Sequence, residues 1–269
     1  MSHPKPPQLT AENAARFQDQ SLVDVYHHRL PYPPAVFDRL LALLAGLPRR
    51  VLDVGTGTGD LARGLVEKVE HVDAIDVSAA MIERGKQLPN GQHPHLHWLL
   101  GRMEEADLPA PYGLIMGGDS LHWMDWEVVF PLFHSLLHPQ GYVVIIERGE
   151  LPTAWEADLR KLIVEYSLYK NFQPYNLIDE LEKRHLFQVI GQETTAPVAS
   201  TQSLDDYIAS FHSRGSLSSD AMTTEAVTEF DARLRSLVEP HAVNGQLKLL
   251  TEAVITWGRP LINPALLSS

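Results

Sequence analysis

An apolar run that stops at bare backbone constrains this chain more than any other feature. In VLDVGTGTGDLA, residues 51–62, the aliphatic side chains end at Gly55, and Gly57 and Gly59 follow at alternate positions. Glycines at a strand-to-helix turn allow positive φ and bring unshielded amide N–H groups close to a ligand. A helical pattern begins at Asp60. Strand, glycine turn and helix in that order open a βαβ unit, and such units build parallel sheets with helices on both faces.

The same rhythm continues along the chain. Residues 50–55, 71–76, 95–100, 112–118 and 141–147 read as strands, with helical patterns between them. Ser78 is placed to cap a helix that turns Met81 and Ile82 inward. Residues 34–47 repeat apolar side chains at helical spacing, with Pro34 suited to a first turn. Pro131 falls inside the helix expected after Asp125, which predicts a late start or a kink. Beyond Glu147, helices are predicted over 153–169, 203–211 and 223–238, and strands over 187–196 and 247–257. No linker or internal repeat divides the chain. The expectation is one α/β domain, Rossmann-like and doubly wound, over residues 1–269. Its core covers about 34–150, 185–197 and 245–258. Lid or substrate elements cover about 8–33, 150–184 and 200–240.

Composition removes several classes of function. The 269 residues include no cysteine, so disulfides, thiolate metal sites and cysteine nucleophiles are excluded. Net charge is −12 and no Lys/Arg run offsets it, so no nucleic-acid partner is expected. No apolar stretch is long enough to span a bilayer, so no membrane partner is expected, and a reducing cytoplasm is the default location. The opening MSHPKPPQLT lacks the charged-then-apolar order of a secretory leader and reads as a short flexible lead. The 13 histidines show no helical ligand spacing, so no metal is expected.

What, then, do the glycines serve? A dinucleotide fingerprint runs G-x-G-x-x-G, but Asp60 stands at the third glycine, where its charge would meet a pyrophosphate. A Walker loop needs a Gly-Lys-Ser/Thr that is absent. A ligand with a ribose and a cationic end, but no phosphate, fits better. Asp76 ends the second strand at the right distance for a ribose diol, and Asp53 and Asp60 add negative charge beside the turn. A ribosyl ligand with a sulfonium and an ammonium is S-adenosylmethionine. The competing reading is a structural turn with Asp76 as a helix cap.

The motifs now on the page resemble those of the class I S-adenosylmethionine-dependent methyltransferases. The resemblance is particularly to the small-molecule branch of trans-aconitate, ubiquinone/menaquinone and related type 11 enzymes. VLDVGTGTGDLA looks like the first motif, AIDVSAAMIERGK the second, GRMEEADLP the third, LIMGGDSLHWM the fourth and LHPQGYVVIIE the fifth strand. YHHRLPYPP resembles the family's leading segment, and the likeness covers residues 17–257. It implies a seven-stranded, mostly parallel sheet with one antiparallel strand near the C-terminus. It also implies cofactor contacts from Asp53, Gly55, Thr56, Gly57, Gly59, Asp76, Val77, Met81, Gly118 and Asp119. Met103 and Glu104 would flank the adenine, although Arg102 stands where the family often has an acid. The leading segment would close over the cofactor, with Arg29 pairing the methionine carboxylate and Tyr32 as a gate.

The methyl acceptor is less constrained, because in-line methyl transfer needs positioning and water exclusion but no covalent residue. The Asp/Asn-Pro-Pro-Tyr/Phe motif of adenine and glutamine amino-methylation is absent; GGDSLHW stands in its place. His122 and Trp123 follow the fourth strand, where His122 is positioned to orient or deprotonate an acceptor and Trp123 to shape the pocket. Trp155, Tyr169 and other aromatics on the helical additions suggest an aromatic or apolar acceptor. Arg148, Arg214 and His212 suggest a carboxylate instead. The expected activity is methyl transfer to a small molecule. The alternatives are a methyltransferase acting on protein or RNA, a non-catalytic S-adenosylmethionine-binding module, and a nicotinamide oxidoreductase.

Overall fold

A computed structural model describes residues 4–262. Five parallel strands form its centre: β1 (Arg50–Val54), β2 (His71–Asp76), β3 (Leu96–Leu100), β4 (Tyr112–Gly118) and β5 (Leu137–Glu150). Beyond them lie β6 (Phe187–Thr194), β7 (Val198–Ser203) and the long β8 (Gln246–Pro260). The strand order is β3-β2-β1-β4-β5-β8-β6, and β8 runs antiparallel to β5, β6 and β7. The seven expected positions are therefore filled, and there is one strand more. β6 pairs with residues 254–260 of β8 and β7 with 246–251, both on the edge away from β5. They form one ladder interrupted at 195–197, where Pro197 has no N–H to give.

Each face of the sheet is covered. On one, helices Pro34–Leu43 and Asp60–Leu65 pack Val36, Leu40, Leu61 and Leu65 on Val51, Leu114 and Val144. On the other, helices Trp126–Leu136 and Leu177–Lys183 pack Phe130, Phe133 and Leu181 on Leu52, Ile115 and Val143. Alternate strand residues serve opposite faces, so these buried parallel strands read as continuous apolar runs. Leu177–Lys183 lies in the segment expected as lid, yet it packs into this second layer. Asn176 caps it by accepting from Asp179 N–H. Helices Glu156–Tyr166, Leu204–Phe211 and Thr224–Val238 form a third cluster around Phe211, Phe230 and Leu234.

Two expectations change. The helix after Asp125 does not start late. Asp125 caps it at Glu127 N–H, and Trp126 donates its indole N–H to Leu121 O at 2.7 Å. Pro131 sits inside, and the buried Trp126, Val129, Phe130 and Phe133 carry the helix past the lost bond. The lead is also not free where it is described; its residues 1–3 lie outside the described residues. Lys5 donates to His122 O and Met124 O, and Leu9 packs against the second core layer. Gln8 is buried and exchanges bonds with Gln173. Among the described residues no helix is long and apolar enough to cross a membrane.

Candidate functional site

Strand order reverses between β1 and β4, and in open α/β sheets ligands bind outside the strand C-terminal ends at that point. The glycine turn lies there. Gly55 and Gly57 have φ of +63° and +56°, conformations that side chains other than glycine rarely adopt. The turn is stitched at both ends. Thr56 N–H donates to Ile75 O, and Thr56 Oγ1 donates to Asp53 Oδ2 at 2.6 Å. Ala62 N–H also donates to Asp53, so Asp53 works beneath the turn, and burial pushes its carboxyl up to about 7. Gly59 serves packing: a Cβ there would stand 2.4 Å from the Trp98 ring.

Asp76 joins the two halves of the floor. Its carboxylate accepts from Gly57 N–H at 2.7 Å and from Ser78 N–H at 2.8 Å. Burial raises its pKa, and the N–H groups of Ser78, Gly57 and Val77 act against that rise. Above it opens a cavity of about 640 Å³, within the roughly 300–1,000 Å³ of small-molecule sites. Gly55, Gly57, Asp76, Val77 and Met81 line it from below, and Arg102, Met103 and Glu104 from one side. Gly118, Asp119, Ser120 and Trp123 line it from β4, while Ala14, Phe17 and Tyr26 come from the N-terminal segment. Lys5, Trp126 and Arg184 border it as well.

A second, smaller cavity of about 20 Å³, room for about one water, adjoins the turn. Tyr26, Tyr32, Asp53, Thr56, Asp60 and Arg148 line it with Gly55 and Gly118, which also line the larger cavity. Asp119 has a φ of +53°, and its carboxylate accepts from Tyr32 Oη at 3.1 Å and from Arg148 N–H at 3.2 Å. The Arg148 guanidinium lies over the Tyr32 ring, donates to Leu30 O and stands 3.6 Å from Asp119. Burial, then the Asp119 charge, hold the Tyr32 phenol well above its ordinary range. Among the described residues no group of three or more His, Asp or Glu is placed to hold a metal.

Several residues singled out from the sequence lie elsewhere. Arg29 is bound to Ser213 Oγ and O, and stacks on Tyr26. Trp155 donates to Tyr207 Oη inside the third helical cluster. His212 is buried between Leu217 O and Asp231. Neither ring lines either cavity, because the helices that carry them pack on one another. Tyr169 stands behind Trp123, ring centres 6.4 Å apart, and donates to Asn13 O. His122 lies just outside the cavity, its Nδ1 buried. Burial lowers its pKa, which keeps the imidazole neutral at pH 7.

Other wall residues escaped sequence reasoning. Tyr26 sits in the quoted YHHRLPYPP segment and was recognisable there. Phe17 and Lys5 are brought in by contacts distant in sequence and had no local signal.

Comparison with known proteins agrees with this geometry. A methyltransferase-domain family profile matches residues 51–141, from β1 into β5. An uncharacterized methyltransferase of Mycobacterium tuberculosis is 33% identical over 146 residues, 53% of this chain and 57% of that protein. The match thus spans little more than half of the relative's length. A solved structure from Anaeromyxobacter dehalogenans, described as a type II methyltransferase, superposes with a TM-score of 0.62 at 20% identity. It covers 86% of this chain and 97% of that one. Phosphoethanolamine N-methyltransferase 2 of Haemonchus contortus was solved with phosphomonomethylethanolamine and S-adenosylhomocysteine. It superposes with a TM-score of 0.53 at 16% identity, over 92% of this chain and 59% of that one. The profile thus lies on the glycine turn and the central strands, and along most of its length the chain shares the fold of solved methyltransferase structures.

Proposed function

We propose that this protein binds S-adenosylmethionine in the larger cavity and transfers its methyl group to a small-molecule acceptor. One observation carries the reading: Asp76, at the end of β2, lines a cavity floored by bare glycine backbone. The residues present suit the ligand. Asp76 offers carboxylate lone pairs to a ribose diol, and Val77 and Met103 offer apolar surface to adenine beside Glu104. Arg148, Asp60 and Tyr26 supply charge and hydrogen bonds for the methionine end from the smaller cavity. In this reading Arg148 takes the carboxylate role that the family resemblance assigned to Arg29, and Arg29 fastens the N-terminal segment to Ser213.

When bound, S-adenosylmethionine supplies an electrophilic methyl on a sulfonium. The protein's own task is to hold the acceptor in line, exclude water and receive any proton released. Residues 8–33 and 200–240 serve as lid, since Phe17 and Tyr26 border the cavity and Ser213 anchors Arg29. A small acceptor is favoured over RNA by the net charge of −12. Incubation with labelled methyl donor and separated cell fractions tests this. Label should pass into the low-mass metabolite fraction. Label confined to the protein or RNA fraction contradicts a small-molecule acceptor.

A further inference from the structure

The third helical cluster, outside both cavities, holds a ring whose hydrogen bonds fix its charge. His212 is buried against the Phe230 ring, centres 5.7 Å apart. Its Nδ1 stands 2.8 Å from Leu217 O, and its Nε2 stands 2.8 Å from Asp231 Oδ1. A carbonyl and a carboxylate both accept, so both ring nitrogens donate, and a ring that donates twice is the imidazolium. Burial acts against that charge, and the bonds to Asp231 and Leu217 O outweigh it, so the pKa is raised. Asp231, on the helix Thr224–Val238, is the charged group that faces the ring. Arg214, two residues along, turns to the Phe211 ring and Glu150.

This clamp holds the loop that fastens the cavity wall. Ser213, the next residue, accepts from Arg29 Nε at its Oγ, 2.9 Å, and from Arg29 Nη2 at its carbonyl, 2.5 Å. Further along, Ser218 donates to Asp19, and Asp220 and Ser21 exchange backbone-to-side-chain bonds. Arg29 lies over the Tyr26 ring, 4.4 Å from its centre, and donates to Tyr26 Oη. Tyr26, Gly55 and Gly118 line both cavities, so Tyr26 supplies the side chain that stands between them.

We propose that His212 is a positioning residue: as an imidazolium it fastens Leu217 to Asp231, and through Ser213 and Arg29 it holds Tyr26 closed over the bound cofactor. The inference rests on the methyltransferase reading above and adds proton control to that same site. Without the proton, one ring nitrogen turns a lone pair on an oxygen it had bonded, and the loop slackens. Because the pKa is raised on folding, the clamp is complete below the ordinary imidazole range and is lost as pH rises through the raised value. The wall then opens more often on the alkaline side. A wall gates entry and exit together, so both rates change while affinity stays within about threefold.

The test is the release rate of labelled S-adenosylhomocysteine, chased by excess unlabelled ligand across about pH 5.5 to 9. The rate should climb about tenfold over one titration step, the lower range for a lost hydrogen bond to a charged group. Its midpoint should match the His212 pKa read from the ring by NMR. Asp231→Asn should move that midpoint down by about one unit, because the amide keeps an acceptor and loses the charge. His212→Gln should abolish the step and release fast at every pH; if it does not fold, Asp231→Asn carries the test. His28, which faces Asp206, and Lys5, lowered to about 8 by burial, also titrate in this span. Neither touches Asp231, so the step that moves belongs to His212. A flat profile overturns the proposal. So does a midpoint unmoved by Asp231→Asn, a step that survives in His212→Gln, or a neutral His212 ring at about pH 6. Failure of S-adenosylhomocysteine to bind at any pH strikes the parent reading, and this proposal with it.

Discussion

Gly55→Val lowers S-adenosylhomocysteine affinity by more than about a hundredfold, the largest effect expected of any single substitution here. The φ of +63° at this position costs an L-residue roughly 1–2 kcal/mol. The added Cβ would stand 2.6 Å from Ser120 Cβ, an atom too close to the backbone to swing aside. Ser120 would have to move, giving up the bond from its hydroxyl to Val54 O at 2.6 Å. That bond ties the end of β1 to the loop after β4. Gly55 also lines both cavities, so the side chain occupies ligand space directly. Gly46→Ala is the control: φ is +77° and nothing lies within 4 Å of the added Cβ, so only the backbone cost remains. Calorimetric titration of both variants, with melting curves to confirm folding, separates lost binding from lost structure. Unchanged affinity in folded Gly55→Val would place the ligand elsewhere.

The second large effect comes from the two ends of the ligand. Asp76→Ala should weaken S-adenosylhomocysteine by about 1.5–3 kcal/mol, the range for hydrogen bonds to a charged group. Loss of the carboxylate also frees Gly57 N–H and Ser78 N–H, so the floor loosens together with the ribose contact. Arg148→Ala should act at the other end with an effect of about the same size, because Arg148 lines the cavity beside Asp60 and Tyr26. Arg29→Ala should leave affinity within about threefold, since its guanidinium is spent on Ser213. Titrating the three variants side by side checks the assignment. Arg29→Ala weaker than Arg148→Ala would return the carboxylate contact to the leading segment.

The parts of this molecule that could be read from sequence are those made by neighbours in sequence. The glycine turn, Asp76 and the Ser78 cap lie within 24 residues of one another on one βαβ unit, and their pattern determines their geometry. The strands 71–76 and 112–118 are found where the apolar runs put them. β7 was missed because VASTQS buries only Gln202 and shows no apolar alternation. The helix Leu177–Lys183 did carry a signal, an asparagine cap three residues before Asp179. Trp155 and His212 were misplaced for a different reason. Their pattern showed apolar helices, but whether a helix turns its aromatics to a pocket or to another helix depends on packing far along the chain.

The most direct measurement is calorimetric titration of the purified protein with S-adenosylhomocysteine, S-adenosylmethionine and NADH under one set of conditions. The account predicts one molecule of either S-adenosyl ligand per chain, lost in Gly55→Val, and no detectable heat from NADH. Binding of NADH in preference to S-adenosylmethionine would contradict it.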